Sequence, residues 1–199
     1  MPRLFTALEI PRDAALSLSL LRGGLQGARW IDVENYHMTL RFFGDVEGHV
    51  ADDIANALDR IQRPSFQLAL AGVGQFGGKK PHSIWAGAAA SPDLFALQAE
   101  IERISTRLGL AADPRKFSPH VTLARLRNTG PEEVARYLSA RGNFSTAPFR
   151  VGRFVLMSSR DSIGGGPYIV EEAWPLGAPE KTRPVNASAM PSDASRIMR

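Results

Sequence analysis

Asn35-Tyr36-His37-Met38-Thr39-Leu40-Arg41-Phe42-Phe43-Gly44 has a counterpart at Ser118-Pro119-His120-Val121-Thr122-Leu123-Ala124-Arg125. Both carry His-x-Thr-Leu inside an apolar run of strand length. Side chains alternate faces along a strand, so His37 and Thr39 point one way while Met38 and Leu40 point the other. His120 and Thr122 separate in the same manner from Val121 and Leu123. Each segment therefore offers an imidazole beside a hydroxyl, backed by apolar residues that anchor the strand in a core. With four histidines and seven threonines in 199 residues, two His-x-Thr matches arise by chance in under about one sequence in a hundred. A single match reads as an ordinary strand histidine; the matched pair reads as two halves of one cleft.

Outward from these strands, helical and extended patterns alternate. Residues 3–10 alternate as a first strand, and Pro11-Arg12-Asp13 opens a helix with Leu16, Leu20 and Leu21 as its buried stripe. Val50, Ile54, Leu58 and Ile61 mark a second amphipathic helix, stopped by Pro64. Phe66 to Leu70 alternates as a strand, and Gly74 to Pro81 reads as a loop before a strand at Ser83 to Gly87. Leu94, Leu97, Ile101, Ile104 and Leu108 form the stripe of a third helix, with Gly109 just past its end. Pro131-Glu132-Glu133 begins a fourth helix with Val134 and Leu138 inward. Phe154 to Met157 and Tyr168 to Val170 read as strands joined by a loop holding Gly164-Gly165-Gly166. From about Gly177 the composition shifts to Pro, Ala, Ser and Arg without an apolar period, which predicts a disordered tail over 177–199. The expected fold is α+β and bilobal: two pseudo-symmetric halves, with antiparallel or mixed sheets lining a central cleft and helices outside, over residues 1–176.

Composition narrows the function. Hydrophobic residues at 44% and charged residues at 22% are ordinary for a soluble globular chain. The absence of cysteine excludes disulfides, thiolate metal sites and a cysteine nucleophile. The net charge of +4 is compatible with a polyanionic partner without demanding one. Lys181, Arg183, Arg196 and Arg199 outnumber Glu180 and Asp193, so part of that charge lies in the tail. Glu9 and Pro11 interrupt the first apolar run, so no export signal is expected, and no stretch approaches membrane-spanning length. A cytoplasmic monomer is the expectation. The triple glycine lacks the Lys-Ser/Thr of a phosphate-binding loop, and no glycine-rich turn follows the first strand as a dinucleotide fold requires.

Two facing imidazoles suit acid–base chemistry at phosphorus. Their unperturbed pKa lies near 6.5, so one can accept a proton from a nucleophile while the other donates one to a leaving oxygen. Thr39 and Thr122 would donate to non-bridging phosphoryl oxygens. This chemistry needs no metal or other cofactor, and neither motif carries a carboxylate for a metal site. The residues alone do not say which ring is the acid.

The two His-x-Thr-Leu strands resemble those of the two-histidine phosphoesterases, and more narrowly the RNA 2′,3′-cyclic phosphodiesterases, also called 2′-5′ RNA ligases. Arg3 to Leu8, Arg29-Trp30-Ile31, Asn35 to Gly44, Ile84 to Gly87, Phe117 to Arg125, Phe154 to Ser159, Gly166-Pro167-Tyr168 and Trp174-Pro175-Leu176 carry the resemblance. It implies hydrolysis of RNA 2′,3′-cyclic phosphate ends to 2′-phosphomonoesters, with His37 as proton donor and His120 as acceptor. Reversible, ATP-independent 2′-5′ joining is also implied.

Arg125 matches a phosphate-contacting arginine of that family, yet strict alternation from His120 sends it to the opposite face unless a bulge intervenes. Arg41 shares the parity of His37, as a phosphate contact or a solvated edge charge. Phe42 and Phe43 differ in parity, and Phe43 is the candidate to line the groove. Tyr168 and Trp30 read as packing residues rather than base-stacking ones, and His49 and His82 as surface residues. An RNA-binding module without turnover, or a phosphodiesterase for 2′-5′ oligonucleotides or small cyclic nucleotides, are the rival readings.

Overall fold

The computed structural model describes residues 3–159 and 166–177; the tail expected beyond Gly177 and the Gly164-Gly165 pair lie outside the described residues. In chain order the elements are β1 (Arg3–Glu9), α1 (Arg12–Ser19), β2 (Ala28–Trp30), a 3-10 turn (Val33–Asn35), β3 (His37–Asp45), α2 (Gly48–Leu58), β4 (Phe66–Leu68), β5 (Leu70–Phe76), β6 (Ser83–Ala88), α3 (Pro92–Arg107), β7 (His120–Leu126), α4 (Pro131–Arg141), β8 (Phe149–Val151), β9 (Arg153–Ser159) and β10 (Tyr168–Pro175). The main sheet runs β10-β9-β1-β3-β7-β6-β5, with β2 also paired to β7. Its pairings are antiparallel throughout. A short β4–β8 ladder stands apart. Among the described residues no helix is long and apolar enough to cross a membrane.

The α+β, two-lobed architecture is present, but the lobes are not consecutive halves of the chain. The late strands β9 and β10 extend the sheet from β1, beside the first motif. The early strand β2 pairs with β7, in the lobe of the second motif. Side-chain periodicity reports which face of a strand is buried, not which partner it meets. The lobes join where Met38 pairs with Val121.

Helix α3 shows how local chemistry sets an element. Pro92 starts it, the Ser91 hydroxyl accepts from the Leu94 N–H, and Asp93 occupies the first turn. At its other end Gly109 adopts φ +80°. The Gly109 and Leu110 N–H groups then bond back to the carbonyls of Thr106 and Ser105, a glycine-terminated closure of the last turn. Leu94, Leu97 and Ile101 are fully buried against the sheet, while Leu108 is 38% exposed. In α1 the buried residues are Ala14, Ala15, Leu18 and, just beyond the helix, Leu21. Leu16 and Leu20 are 49% and 83% exposed, which corrects the expected stripe. Two small alanines, not the bulkier leucines, let α1 lie close to the core.

β5 also runs further than expected, through Gly74-Gln75-Phe76. A Cβ on Gly74 would lie 2.3 Å from Cζ2 of Trp85. The glycine here is a seat for an indole rather than a turn signal.

Candidate functional site

With Met38 opposite Val121, the antiparallel register puts His37 across from Thr122 and Thr39 across from His120. The imidazoles are then diagonal neighbours, about 7–8 Å apart at Cα, and the two threonines occupy the other diagonal. Met38 and Val121 are fully buried beneath them. All four polar side chains rise from one seam on one face of the sheet.

Both rings are tethered alike. Nδ1 of His37 lies 2.9 Å from the Asn35 carbonyl oxygen, and Nδ1 of His120 lies 2.7 Å from that of Ser118. A carbonyl can only accept, so Nδ1 carries the proton and Nε2 is the atom free to exchange one. Aromatic rings enclose each imidazole. Phe5 and Tyr168 lie 5.1 and 4.7 Å from His37, centroid to centroid. Phe76 and Trp85 lie 4.9 and 6.2 Å from His120. Tyr168 is thus a packing residue against the site, and Trp30 packs on Tyr137 away from it.

Burial pushes the His37 imidazole down to about 4; its bond to Asn35 opposes this, and nearby His120 and Arg125 add to it. Burial likewise lowers His120, opposed by the Ser118 bond and aided by Arg125. A phosphoryl anion between the rings would raise both.

A bulge in each motif strand corrects the parity argument. Thr6 pairs with Arg41 but Ala7 with Thr39, leaving Leu40 as the extra residue of β3. Ile84 pairs with Ala124 but Trp85 with Thr122, leaving Leu123 as the extra residue of β7. Beyond a bulge the alternation inverts. Arg125 is therefore returned to the face of His120 and Thr122, close enough to depress both imidazoles. The equivalent position in β3 is Phe42, which is exposed, contacts Phe5 at 5.4 Å and lines the groove.

The same inversion overturns two expectations. Phe43 sits at a further register shift and packs against the main core instead of lining the groove. Arg41 is no solvated edge charge: only 6% of it is exposed. Its Nε lies 3.0 Å from Oε2 of Glu102, and its Nη2 donates to the Ala111 carbonyl. Glu102 in turn accepts from the Asp113 N–H at 3.1 Å. This buried pair ties β3 and α3 to the segment leading into His120.

A groove of about 410 Å³ opens beside the seam, lined by Thr39, Arg41, Phe42, Phe76, His82, Asp113, Arg115, Lys116, Phe117 and His120 among others. His82 is exposed, as expected for a surface residue, yet it borders this groove. His49 is exposed and lies 3.4 Å from Glu47, away from the groove. Phe5, Phe76 and Trp85 were not legible as site residues from the sequence, because their facing depends on registers and bulges rather than on local spacing. Among the described residues no three histidine or acidic side chains cluster as a metal site.

The geometry has known counterparts. The family model of the 2′-5′ RNA ligase superfamily matches residues 25–162. The RNA 2′,3′-cyclic phosphodiesterase of Aeropyrum pernix is 37% identical over 120 residues, covering 59% of this chain and 68% of that one. The Escherichia coli protein of the same name is 28% identical over 178 residues, covering 87% and 96%. In fold, the chain is similar to E. coli LigT in its apo form, with TM-score 0.72 and 24% identity over 88% of this chain and 98% of that one. With a family model spanning more than half its length and these relatives beside it, the chain belongs to the 2′-5′ RNA ligase superfamily.

Proposed function

We propose that this chain hydrolyses RNA 2′,3′-cyclic phosphate ends to 2′-phosphomonoesters. The observation that carries the reading is the pair of tethered imidazoles presenting Nε2 from two strands joined at Met38 and Val121. The names of the curated relatives support the substrate class. His120 Nε2 takes a proton from water as the water oxygen attacks phosphorus. The bond from phosphorus to the 3′ oxygen breaks, and Nε2 of protonated His37 supplies the proton that oxygen requires. One water is consumed, and proton exchange with solvent resets the two rings. Thr39 and Thr122 donate to the non-bridging oxygens, and Arg125 offsets their charge. A 5′-hydroxyl in place of water, attacking the same phosphorus, gives a 2′-5′ linkage without ATP by the same two transfers.

Burial disfavours the protonated His37 that this assignment needs. The bound phosphodiester must therefore draw a proton onto His37 before the leaving oxygen departs.

The test is incubation with an RNA oligonucleotide carrying a 2′,3′-cyclic end, with 2′-5′ oligoadenylate in parallel. Conversion of the cyclic end to a 2′-phosphate, undiminished in chelator, is expected. A 3′-phosphate product, an absolute need for a divalent ion, or binding without turnover contradicts it, the last in favour of an RNA-end-binding module.

A further inference from the structure

Beyond the bulge, β7 presents Arg125 on the cleft face, Arg127 follows just past the strand's end, and Arg29 of β2 lies directly across from Arg125. These three arginines and Gly27 line a separate recess of about 210 Å³. Arg125 belongs to both regions: it lines the recess and acts on both imidazoles. Arg125 and Arg127 share this small recess, so their guanidiniums repel unless an anion lies between them. Among the described residues neither is ion-paired, although six other arginines are.

The recess has a firm floor. The Arg127 N–H donates to the Gly27 carbonyl at 3.0 Å, and the Thr129 hydroxyl donates to that of Gln26 at 2.8 Å. Gly27 has φ +73°, and a Cβ there would lie 2.2 Å from the Arg127 carbonyl oxygen and 2.9 Å from Thr129 Oγ1. Only glycine lets β2 approach the end of β7 this closely.

We propose that Arg125, Arg127 and Arg29 form a second anion site, which holds the RNA phosphodiester one nucleotide 5′ of the cyclic end. The proposal rests on the phosphodiesterase reading above and refines its substrate: an oligonucleotide rather than a mononucleotide. The recess lies along the strand that presents His120, and planar guanidiniums recognise phosphate through paired hydrogen bonds. The groove beside Phe42 and Phe76, lined by rings, suits a nucleoside instead.

The experiment compares a nucleoside 2′,3′-cyclic phosphate with a dinucleotide ending in the same group. A third substrate is that dinucleotide with a neutral methylphosphonate linkage. The parent protein is expected to favour the charged dinucleotide by about tenfold in kcat/KM. Arg127→Gln should remove most of that advantage while mononucleotide turnover stays unchanged, and the methylphosphonate should remove it from the parent protein. An advantage that survives in Arg127→Gln, or with the neutral linkage, overturns the site. Turnover of none of the substrates by the parent protein would instead remove the phosphodiesterase reading. Affinities of the mononucleotide and dinucleotide 2′-phosphates then still decide the site, equal values overturning it.

Discussion

Alanine at His37 or at His120 is expected to lower turnover of a 2′,3′-cyclic phosphate by about 10²- to 10⁴-fold, since each removes one proton transfer. The fold should persist. Each ring gives up one hydrogen bond to a carbonyl of the preceding loop, worth about 1 kcal/mol, and the sheet beneath is anchored by Met38 and Val121. Circular dichroism and the urea midpoint check that. The pH profile identifies the cause. Activity needs one ring protonated and the other neutral, and burial depresses both, His37 to about 4. The kcat/KM profile, which reports the free protein, should therefore peak below the ordinary histidine value of 6.5 and fall as pH rises. The kcat optimum should lie higher, because the bound anion raises both rings. Loss of either imidazole removes one limb of the bell. Parent-like turnover in either variant, or a flat profile from about pH 5 to 9, contradicts the two-imidazole mechanism.

Glu102→Ala should cost about 3–5 kcal/mol of stability, because it removes the counter-charge of a guanidinium that is only 6% exposed and leaves it the Ala111 carbonyl alone. Arg41→Met should cost less. Glu102 keeps 24% of its side chain exposed, so water can solvate the carboxylate left behind. The asymmetry is what distinguishes a buried ion pair from a surface one, where either change would stay within about 1 kcal/mol. Glu102→Ala also frees the Asp113 N–H and loosens the segment that ends at Ser118, the residue that orients His120. Its turnover should fall beyond what the unfolded fraction explains. Urea unfolding of both variants measures the difference, and a Glu102→Ala midpoint equal to the parent's contradicts it.

The motif strands show how far a sequence can be read. Alternation places His37 with Thr39 and His120 with Thr122 because two residues suffice to define a face. Two to four residues further on, the same rule misplaces Arg41 and Phe43 and leaves Arg125 in doubt. A bulge is a mismatch between two strands, and only the partner's register reveals it: Leu40 against β1, Leu123 against β6. Long-range pairing hides the lobe composition for the same reason, since nothing local in Ala28–Trp30 or Tyr168–Pro175 announces β7 or β9 as its neighbour. In α1, spacings through Leu16 and Leu20 and through Ala14 and Leu18 are equally helical, and packing distance chooses between them.

A crystal structure of the protein with a nucleoside 2′-phosphate bound would test the convergence of the two strands on one phosphorus most directly. Nε2 of His37 and Nε2 of His120 should both lie within about 2.7–3.2 Å of oxygens on the same phosphate, with the Thr39 and Thr122 hydroxyls on its remaining oxygens. A phosphate touching one ring alone, or seated away from the seam of Met38 and Val121, would contradict it.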